Sequence, residues 1–329
     1  MKKLVLLLVS IALLLSLAAC GDSKLPNDPG KVSDKVSGKI PDQDSEKEPE
    51  KEPESTPPEP EDEPNSGSPV EDEPKNDKIT FTGFTVVDND ECMIKIKDIV
   101  PDDVWGYAIK AELENKSDEK TYWFIVDTAA INGVECDPFF AESVAPGKKS
   151  NAKITFYEDV LDDNDVGDYT DIELTFRVYD SDDWSAEDVA EETVHVYPYG
   201  EDKAVTFVRE DLPTDQVIAD NESVTVIVTG YTEDEYMGYT ALLFLVNKTD
   251  KNLMFTVDDA SVNGYMADPF FATSLSAGKC KFSSMSWSDS TLEENDITQV
   301  EEIEFTLRAY DYDNWYADDL CDELVVLNP

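Results

Sequence analysis

Apolar and polar residues alternate with a period of two over most of the chain from about Lys78 onward. In the stretch "IELTFRVY", which starts at Ile172, apolar residues fill every second position and polar residues or tyrosine lie between them. Such alternation is typical of a strand that buries one face. The pattern contains no convincing amphipathic helix, so we predict an all-β fold.

The same pattern predicts further strands in "ECMIKIKDIV", "TYWFIVDTAAIN", "VAEETVHVYP" and "ESVTVIVTGY". Turn signals separate these segments at intervals close to those of β-sandwiches. Two short acidic stretches, "SAEDVAEE" and "TLEENDI", are each expected to form one or two helical turns between strands.

The alternating region occurs twice in the chain. "NGVECDPFF" at Asn132 corresponds to "NGYMADPFF" at Asn263, and "GYAIKAELENKSD" at Gly106 corresponds to "GYTALLFLVNKTD" at Gly238. From Asp127 onward the two copies keep a constant offset of 131 residues (263 − 132). We therefore predict a tandem duplication, with repeat 1 over residues 78–198 and repeat 2 over residues 199–329. About seven or eight short strands in each repeat predict two tandem immunoglobulin-like β-sandwich domains.

The Asn-Gly pairs of the repeated motif predict two-residue hairpin turns, because both central residues of such a turn need a positive φ. Pro138 and Pro269 are expected to end the following strands, since proline cannot donate to a ladder. The paired aromatic residues then favour packing, with one ring in the core and its neighbour over a flank. The functional alternative is an exposed aromatic binding surface formed by Phe139, Phe140, Phe270 and Phe271.

The first residues, "MKKLVLLLVSIALLLSLAAC", have the layout of a secretory signal. The apolar run 4–17 is shorter than the roughly 20 residues that a membrane-spanning helix needs. Leu17-Ala18-Ala19-Cys20 resembles the bacterial lipoprotein box, which implies a lipid on Cys20 and cleavage just before it. We predict a signal peptide over residues 1–19 and a cell-membrane location, lipid-anchored on the extracellular face.

Residues 20–77 contain almost no large apolar side chains and many Glu-Pro units, which predicts a disordered, extended acidic stalk. The formal net charge of the whole chain is −48. Phosphate binding needs clustered Lys and Arg, so the charge excludes nucleic acid as a partner and disfavours direct docking on an anionic membrane. The usual explanation of such a charge is solubility.

The lipoprotein box, the acidic stalk and the repeated pattern of "NK[ST]D", "NG", "PFF", "GK" and "YD" are similar to those of Gram-positive surface lipoproteins. Those proteins carry immunoglobulin-like domains of unknown function, related in fold to mycobacterial immunoprotective extracellular antigens. The resemblance implies a sandwich fold and an exported location, and it supplies no catalytic residues. The disulfide pattern and central Trp of antibody domains are missing.

Candidate catalytic residues are few, and we predict that the chain is not an enzyme. Its single histidine, His195, lies on a predicted strand. The sequence has neither a glycine-rich phosphate loop nor a G-x-S-x-G nucleophile motif. Arg177 and Arg308 occupy equivalent strand positions, where we expect each to pair with a carboxylate of a neighbouring strand.

An acidic cluster follows the same strand in both repeats and makes calcium the candidate metal. Clustered oxygens at the end of a strand suit Ca²⁺, although the EF-hand pattern does not fit. The candidate ligands are Asp180, Asp182, Asp183, Asp311 and Asp313. Cysteines other than Cys20 occur at positions 92, 136, 280 and 321, where free thiols and intradomain disulfides both remain open.

These patterns favour a non-catalytic binding or adhesion module on the cell surface, with an extracellular protein or glycan as partner. The alternative is a structural or envelope-accessory spacer lipoprotein, stabilised by divalent cations. Aromatic residues exposed on one face would favour the first function, and uniformly charged surfaces the second.

Overall fold

A computed structural model of the chain describes residues 78–138, 140–156, 164, 166–234, 236–314 and 316–329. Most of these residues lie in strands. The fold is all-β, as the alternating pattern predicts. The predicted signal peptide, Cys20 and the stalk lie outside these residues, as do Phe139 and Trp315.

Repeat 1 contributes the first nine strands: β1 (Phe84–Asp88), β2 (Cys92–Asp103), β3 (Gly106–Asn115), β4 (Tyr122–Ile131), β5 (Val134–Cys136), β6 (Ala141–Val144), β7 (Lys149–Phe156), β8 (Ile172–Asp180) and β9 (Ala190–Val196). A single 3₁₀ turn at Glu201–Lys203 follows β9.

Repeat 2 contributes the other nine: β10 (Gln216–Asp220), β11 (Val224–Asp234), β12 (Gly238–Asn247), β13 (Leu253–Val262), β14 (Tyr265–Met266), β15 (Ala272–Leu275), β16 (Cys280–Trp287), β17 (Ile303–Asp311) and β18 (Cys321–Leu327). The short helix α1 (Asp289–Glu294) separates β16 from β17. All the segments predicted as strands are strands.

The strands form sheets on both sides of two hydrophobic cores. In repeat 1 one sheet has the order β1-β2-β3-β7, while β4 pairs with β5, β6 and β8, and β8 with β9. Repeat 2 has the same arrangement, with β10-β11-β12-β16 on one side and β13, β14, β15, β17 and β18 on the other. Each repeat has one core, formed by buried residues of both its sheets. The core residues of repeat 1 run from Cys92 to Val196, and those of repeat 2 run from Ala219 to Leu327. This layered arrangement is sandwich-like.

One sheet continues from repeat 2 into repeat 1. The first residue of β16, Cys280, pairs in parallel with Val134 at the start of β5. The resulting order is β10-β11-β12-β16-β5-β4-β8-β9. Both repeats belong to one compact unit.

The repeated Asn-Gly pairs form the predicted hairpin turns. Asn132 and Gly133 have φ values of 53° and 89°, and Asn263 and Gly264 have values of 51° and 80°. Beside each turn Ile131 pairs with Val134, and Val262 with Tyr265. The strands end at Cys136 and Met266, before the Asp-Pro pairs, as predicted.

The repeated asparagines also organise the loops around them. The Asn132 side chain donates to the carbonyl of Asp168 at 2.8 Å and accepts from the backbone of Thr170 and Asp171. Asn263 makes the equivalent contacts with Gln299, Glu301 and Glu302. These asparagines therefore fix the chain that enters β8 and β17.

The two "NK[ST]D" motifs lie at bends between strands. Asn115 and Asn247 are buried and donate to the carbonyls of Val144 and Leu275. Their side-chain oxygens accept from the backbone of Ser117 and Thr249. The two side chains also donate to the carbonyls of Lys120 and Lys251. Buried side chains that satisfy at least three backbone groups are structural.

Only one of the two expected helical segments forms. "TLEENDI" contains most of α1, capped by Ser288, whose side chain accepts from the backbone of Thr291. The prediction for "SAEDVAEE" is wrong, because turns lead there directly into β9. Arg177 binds Asp188, and the backbone of Val189 donates to Val178, so the segment joins the ladder instead of a helix. No helix of the described residues is long and apolar enough to cross a membrane.

Candidate functional site at the junction between the repeats

The two equivalent arginines form ion pairs on the outer surface of their sheets, although the predicted partner on a neighbouring strand is found only for Arg308. Arg177 Nε donates to Asp188 at 2.7 Å. Arg308 binds Asp319 at 2.7 Å and also Asp258, on the neighbouring strand β13, at 2.9 Å. These carboxylates raise the pKa of both guanidinium groups. The pairs hold the loop before β9 and β18 on the sheet, which is a structural role.

The acidic clusters do not assemble as the calcium hypothesis expects. Asp180 binds Lys120 at 3.1 Å, and Asp311 binds Lys251 at 2.8 Å. Their other oxygens accept from the backbone of Asp182 and Asp313. Within the described ranges no group of three acidic, His or Cys side chains is placed to hold a metal ion.

These contacts correct the expected role of Asp180, Asp182, Asp183, Asp311 and Asp313. The backbone N–H of Asp182 and the Lys120 ammonium hold the pKa of Asp180 below its usual range, and Lys251 does so for Asp311. Asp183 accepts from the backbone and hydroxyl of Ser185. The Asp180, Asp183 and Asp311 carboxylates are thus used to cap turns or to bind lysines, whereas Asp182 and Asp313 contribute backbone N–H groups to these contacts.

The paired phenylalanines separate into core and surface. Phe140 is buried in the first core, and its equivalent Phe271 packs partly buried against the second. Phe270 is 81% exposed, although its backbone N–H bonds the carbonyl of Ser286 at 2.7 Å. One ring per motif therefore packs as predicted, whereas Phe270 is available to a partner. Phe139, its equivalent, lies outside the described residues.

The four cysteines of the described residues are free thiols. Burial raises the pKa of Cys92 and Cys321 to about 11 and that of Cys136 to about 12. The same cause raises the pKa of Cys280 to about 11. Thiols with such pKa values are protonated at neutral pH and poor nucleophiles.

The repeats differ in the outer face of the sheet that contains β3 in repeat 1 and β12 in repeat 2. In repeat 1 this face is charged, with Lys97 bound to Glu112 at 3.2 Å and Lys110 to Asp98 at 3.3 Å. The equivalent positions in repeat 2 are apolar or uncharged. They are Thr229, Gly230, Leu242 and Phe244, with Ile227 and Phe282 beside them. Repeat 2 therefore needs a cover on this face.

The segment between β9 and β10 supplies part of that cover; we call residues 205–212 the strap. Phe207 packs edge-on against Phe244 and Phe282, with ring centroids 6.4 Å and 5.9 Å away. Arg209 lies over the Phe244 ring and binds both oxygens of Asp215 at 2.7 Å. Phe244 is only 6% exposed as a result.

Repeat 1 holds the strap in place. The backbone N–H of Phe207 donates to Asn132 at 2.8 Å, and that of Val205 donates to the Thr170 hydroxyl at 3.0 Å. Asn132 is the hairpin residue that also fixes Thr170. The turn of the repeated motif thus connects the loop of repeat 1 to the strap.

Polar contacts join the repeats beside the strap. Cys280 N–H donates to Gly133 at 3.1 Å. Glu135 is 7% exposed and accepts from the backbone of Ser276 at 2.8 Å and from Lys281 at 3.3 Å. Lys279 binds Glu173 at 2.6 Å.

His195 belongs to the edge of this network. Its Nδ1 lies 2.7 Å from Asp171 and its Nε2 lies 3.4 Å from Glu173, while its ring stacks on Tyr197. The histidine therefore contacts the carboxylate that Lys279 binds. The contact of His195 is an ordinary polar one. The residue lies on strand β9, as predicted.

A groove runs between the strap and the apolar face of repeat 2. It has a volume of about 580 Å³ and adjoins a second hollow of about 520 Å³. Leu242 is 39% exposed there. The lining includes Phe207, Arg209, Thr229, Phe282 and Ser284. An apolar surface with flanking hydroxyl groups between two repeats is a typical place for a ligand.

Sequence reasoning missed this surface, although the signal is present. The run Leu242-Leu243-Phe244-Leu245-Val246 is continuously apolar, whereas its equivalent "KAELE" alternates. A strand that is apolar on both faces is covered on both faces. The pattern identifies the need for a cover but does not identify the strap.

Comparisons with known proteins do not identify the chain. No family model matches it, and no curated protein matches it. Among solved structures, a red sea bream transglutaminase is similar at 12% identity and a TM-score of 0.22 over 72% of this chain and 31% of that chain. A protein of unknown function from Porphyromonas gingivalis is similar at 11% identity and a TM-score of 0.19 over 72% of this chain and 99% of its own. Similarities with such low TM-scores give no information about the fold or the activity of this chain.

Proposed function

We propose that the chain is a non-catalytic binding module, anchored by a lipid on Cys20 to the outer face of a cell membrane. Two immunoglobulin-like β-sandwich domains would present the binding surface above an acidic stalk. The groove at the junction carries this proposal, because an apolar side chain, an aromatic ring and hydroxyl groups line one exposed hollow.

The chemistry of the groove favours a ligand with one apolar side and several hydrogen-bonding groups. Leu242 and Phe282 offer apolar surface, and Thr229 and Ser284 offer hydroxyl groups. Arg209 already binds Asp215 through both of its terminal nitrogens, so it is not available to bind a ligand carboxylate in the same way. A short extended peptide or a sugar ring fits these groups. The exposed ring of Phe270 provides a second contact point.

Binding is tested on an array of short peptides and glycans probed with fluorescently labelled chain. Leu242→Asp places a charge on the floor of the groove, and we expect it to abolish the spots that the unchanged chain gives. Val104→Asp is the matched control, because Val104 is 88% exposed in repeat 1, away from the groove. Equal patterns for the two variants would refute the groove as the binding surface.

The anchor is tested separately by Cys20→Ala. We expect the variant to appear in the medium or to remain unprocessed, while the unchanged chain stays in the membrane fraction. Persistent lipid labelling of the variant would contradict the lipoprotein prediction. A spacer remains the alternative function, and it is favoured if the array gives no spots at all.

A further inference from the structure

The junction between the repeats uses two kinds of surface. The first, which we call the hairpin surface, consists in repeat 1 of Gly133–Glu135 together with Glu173. The second, the edge surface, consists in repeat 2 of residues 276–281, at the start of β16. The duplication places an equivalent of each surface on the other repeat: a hairpin surface at 264–266 with Glu304, and an edge surface at 145–150. The junction uses one of each kind, and the other two face solvent.

The exposed fractions show the difference between the used and the free hairpin surface. Val134 and Glu135 are 1% and 7% exposed at the junction, whereas their equivalents Tyr265 and Met266 are 55% and 65% exposed. In the described part of the chain, β14 pairs only with β13 and β7 only with β3. Each free surface therefore has a strand edge whose backbone groups can accept another strand.

The charges of the two free surfaces are complementary. At the junction the ion pair Lys279–Glu173 measures 2.6 Å. Its equivalents are Lys148 and Glu304, both exposed and neither in an ion pair with a described residue. Glu301 and Glu302 lie next to the free hairpin, because their backbone N–H groups donate to Asn263. The free hairpin surface is therefore acidic, and the free edge surface carries Lys148. The neighbouring Lys149 already binds Glu114 at 2.9 Å.

We propose that the hairpin surface of repeat 2 binds the edge surface of repeat 1 in another molecule of the same chain. The contact repeats the geometry of the internal junction, with Lys148–Glu304 in the place of Lys279–Glu173. Because the two surfaces are different, the association is head-to-tail and adds further molecules in a row. This inference does not depend on the binding function or the anchor proposed above.

The contact between molecules is weaker than the internal junction. The aromatic cluster of Phe207, Phe244 and Phe282 has no counterpart on the free edge, where Glu112 and Asn151 occupy the positions equivalent to Phe244 and Phe282. Met266 and Ser150 occupy the positions equivalent to Glu135 and Lys281, so backbone pairing and the single ion pair Lys148–Glu304 remain. Exposed ion pairs are weak and screened by salt. The net charge of −48 also opposes association. We therefore expect reversible assembly at high protein concentration and low salt.

Sedimentation velocity of the full chain carrying Cys20→Ser tests the proposal over a range of concentrations. The ionic strengths compared are about 0.01 M and about 1 M, at which the Debye length is about 30 Å and about 3 Å. Lys148→Glu and Glu304→Lys are the informative variants, since both side chains are exposed and neither supports the fold. Lys78→Glu is the control for Lys148→Glu. It makes the same change from a positive to a negative charge, at an exposed residue outside both surfaces.

We expect assembly at low ionic strength in the Cys20→Ser chain and in the control. Each single variant should dissociate at least about tenfold more readily, because like charges then face each other. An equimolar mixture of the two single variants, and the chain that carries both changes, should assemble again. Assembly unaffected by either change, failure of the double variant to recover, or a monomer under all conditions overturns the proposal.

Discussion

Glu135 of repeat 1 and Lys281 of repeat 2 form an ion pair at 3.3 Å in which the side chains are only 5% and 15% exposed. The carboxylate also accepts from the backbone of Ser276. Glu135→Ala removes this pair and the bond to Ser276, and it leaves the largely buried Lys281 with only the exposed Asp137, at 3.6 Å. The substitution should therefore lower the free energy of unfolding by about 3 kcal/mol. Chemical denaturation measures this change.

An exposed pair of the same length is the control for that measurement. Lys110 and Asp98 also lie 3.3 Å apart, but their side chains are 44% and 62% exposed. Asp98→Ala should change stability by less than about 1 kcal/mol, as is usual for exposed pairs. Equal effects of the two substitutions would mean that burial at the junction contributes nothing.

Phe140→Ala and Phe270→Ala should differ strongly in effect. The Phe140 ring is 8% exposed in the core, so its removal should cost about 3–5 kcal/mol. Phe270 is 81% exposed, and its loss should stay within about 0.5 kcal/mol. Thermal melts of both variants check this order, and the reverse order would contradict the assignment of core and surface rings.

The thiols at positions 92, 136, 280 and 321 should react slowly with a thiol reagent at neutral pH. Their burial keeps them protonated, as the raised pKa values indicate. In the chain carrying Cys20→Ser, we expect four equivalents of reaction only after addition of denaturant. Rapid reaction of a thiol in the native protein would show that one of these sites opens.

Asp215→Asn should remove stability at neutral pH, and its effect should disappear in acid. Arg209 holds the pKa of Asp215 below its unfolded value of about 3.9. The contribution of the pair is therefore complete above that value, falls as the pH drops below it, and is lost below the folded pKa. Melts of both proteins from pH 7 to about pH 2 measure the difference.

The comparison has a built-in control, because protonation of other carboxylates affects both proteins equally. Only the difference in melting temperature reports Asp215. A difference that stays constant into strong acid would show that the charge of Asp215 is not what stabilises the strap.

Strands, turns and the duplication follow from the sequence because each depends on local alternation or on the φ values that Asn-Gly allows. Arg308 and Asp319 are also close in sequence, so their pairing is predictable. The apolar run around Phe244 predicts that its strand is covered on both faces, but it does not predict which segment covers the outer face. Phe207 reaches it through a segment without periodicity.

The acidic clusters do not assemble as the sequence predicts, for a related reason. Asp180 and Asp182 are two residues apart in sequence, which suggests a shared ligand, yet Asp180 binds Lys120, sixty residues earlier in the chain (180 − 120 = 60). Sequence spacing reports neighbours along the chain and not the partners that a sheet brings from distant strands. The same limitation hides the pairing of Cys280 with Val134 across the repeats.

The position of the strap also determines the order in which surfaces appear during synthesis. A chain made from its N-terminus completes repeat 1 and Phe207 before Phe244 and Phe282 emerge. The strap is therefore already synthesised when the apolar face of repeat 2 appears. This order protects the nascent chain from aggregation through that face. If the order of the two repeats were reversed, the apolar face of repeat 2 would stay exposed until the strap had been synthesised.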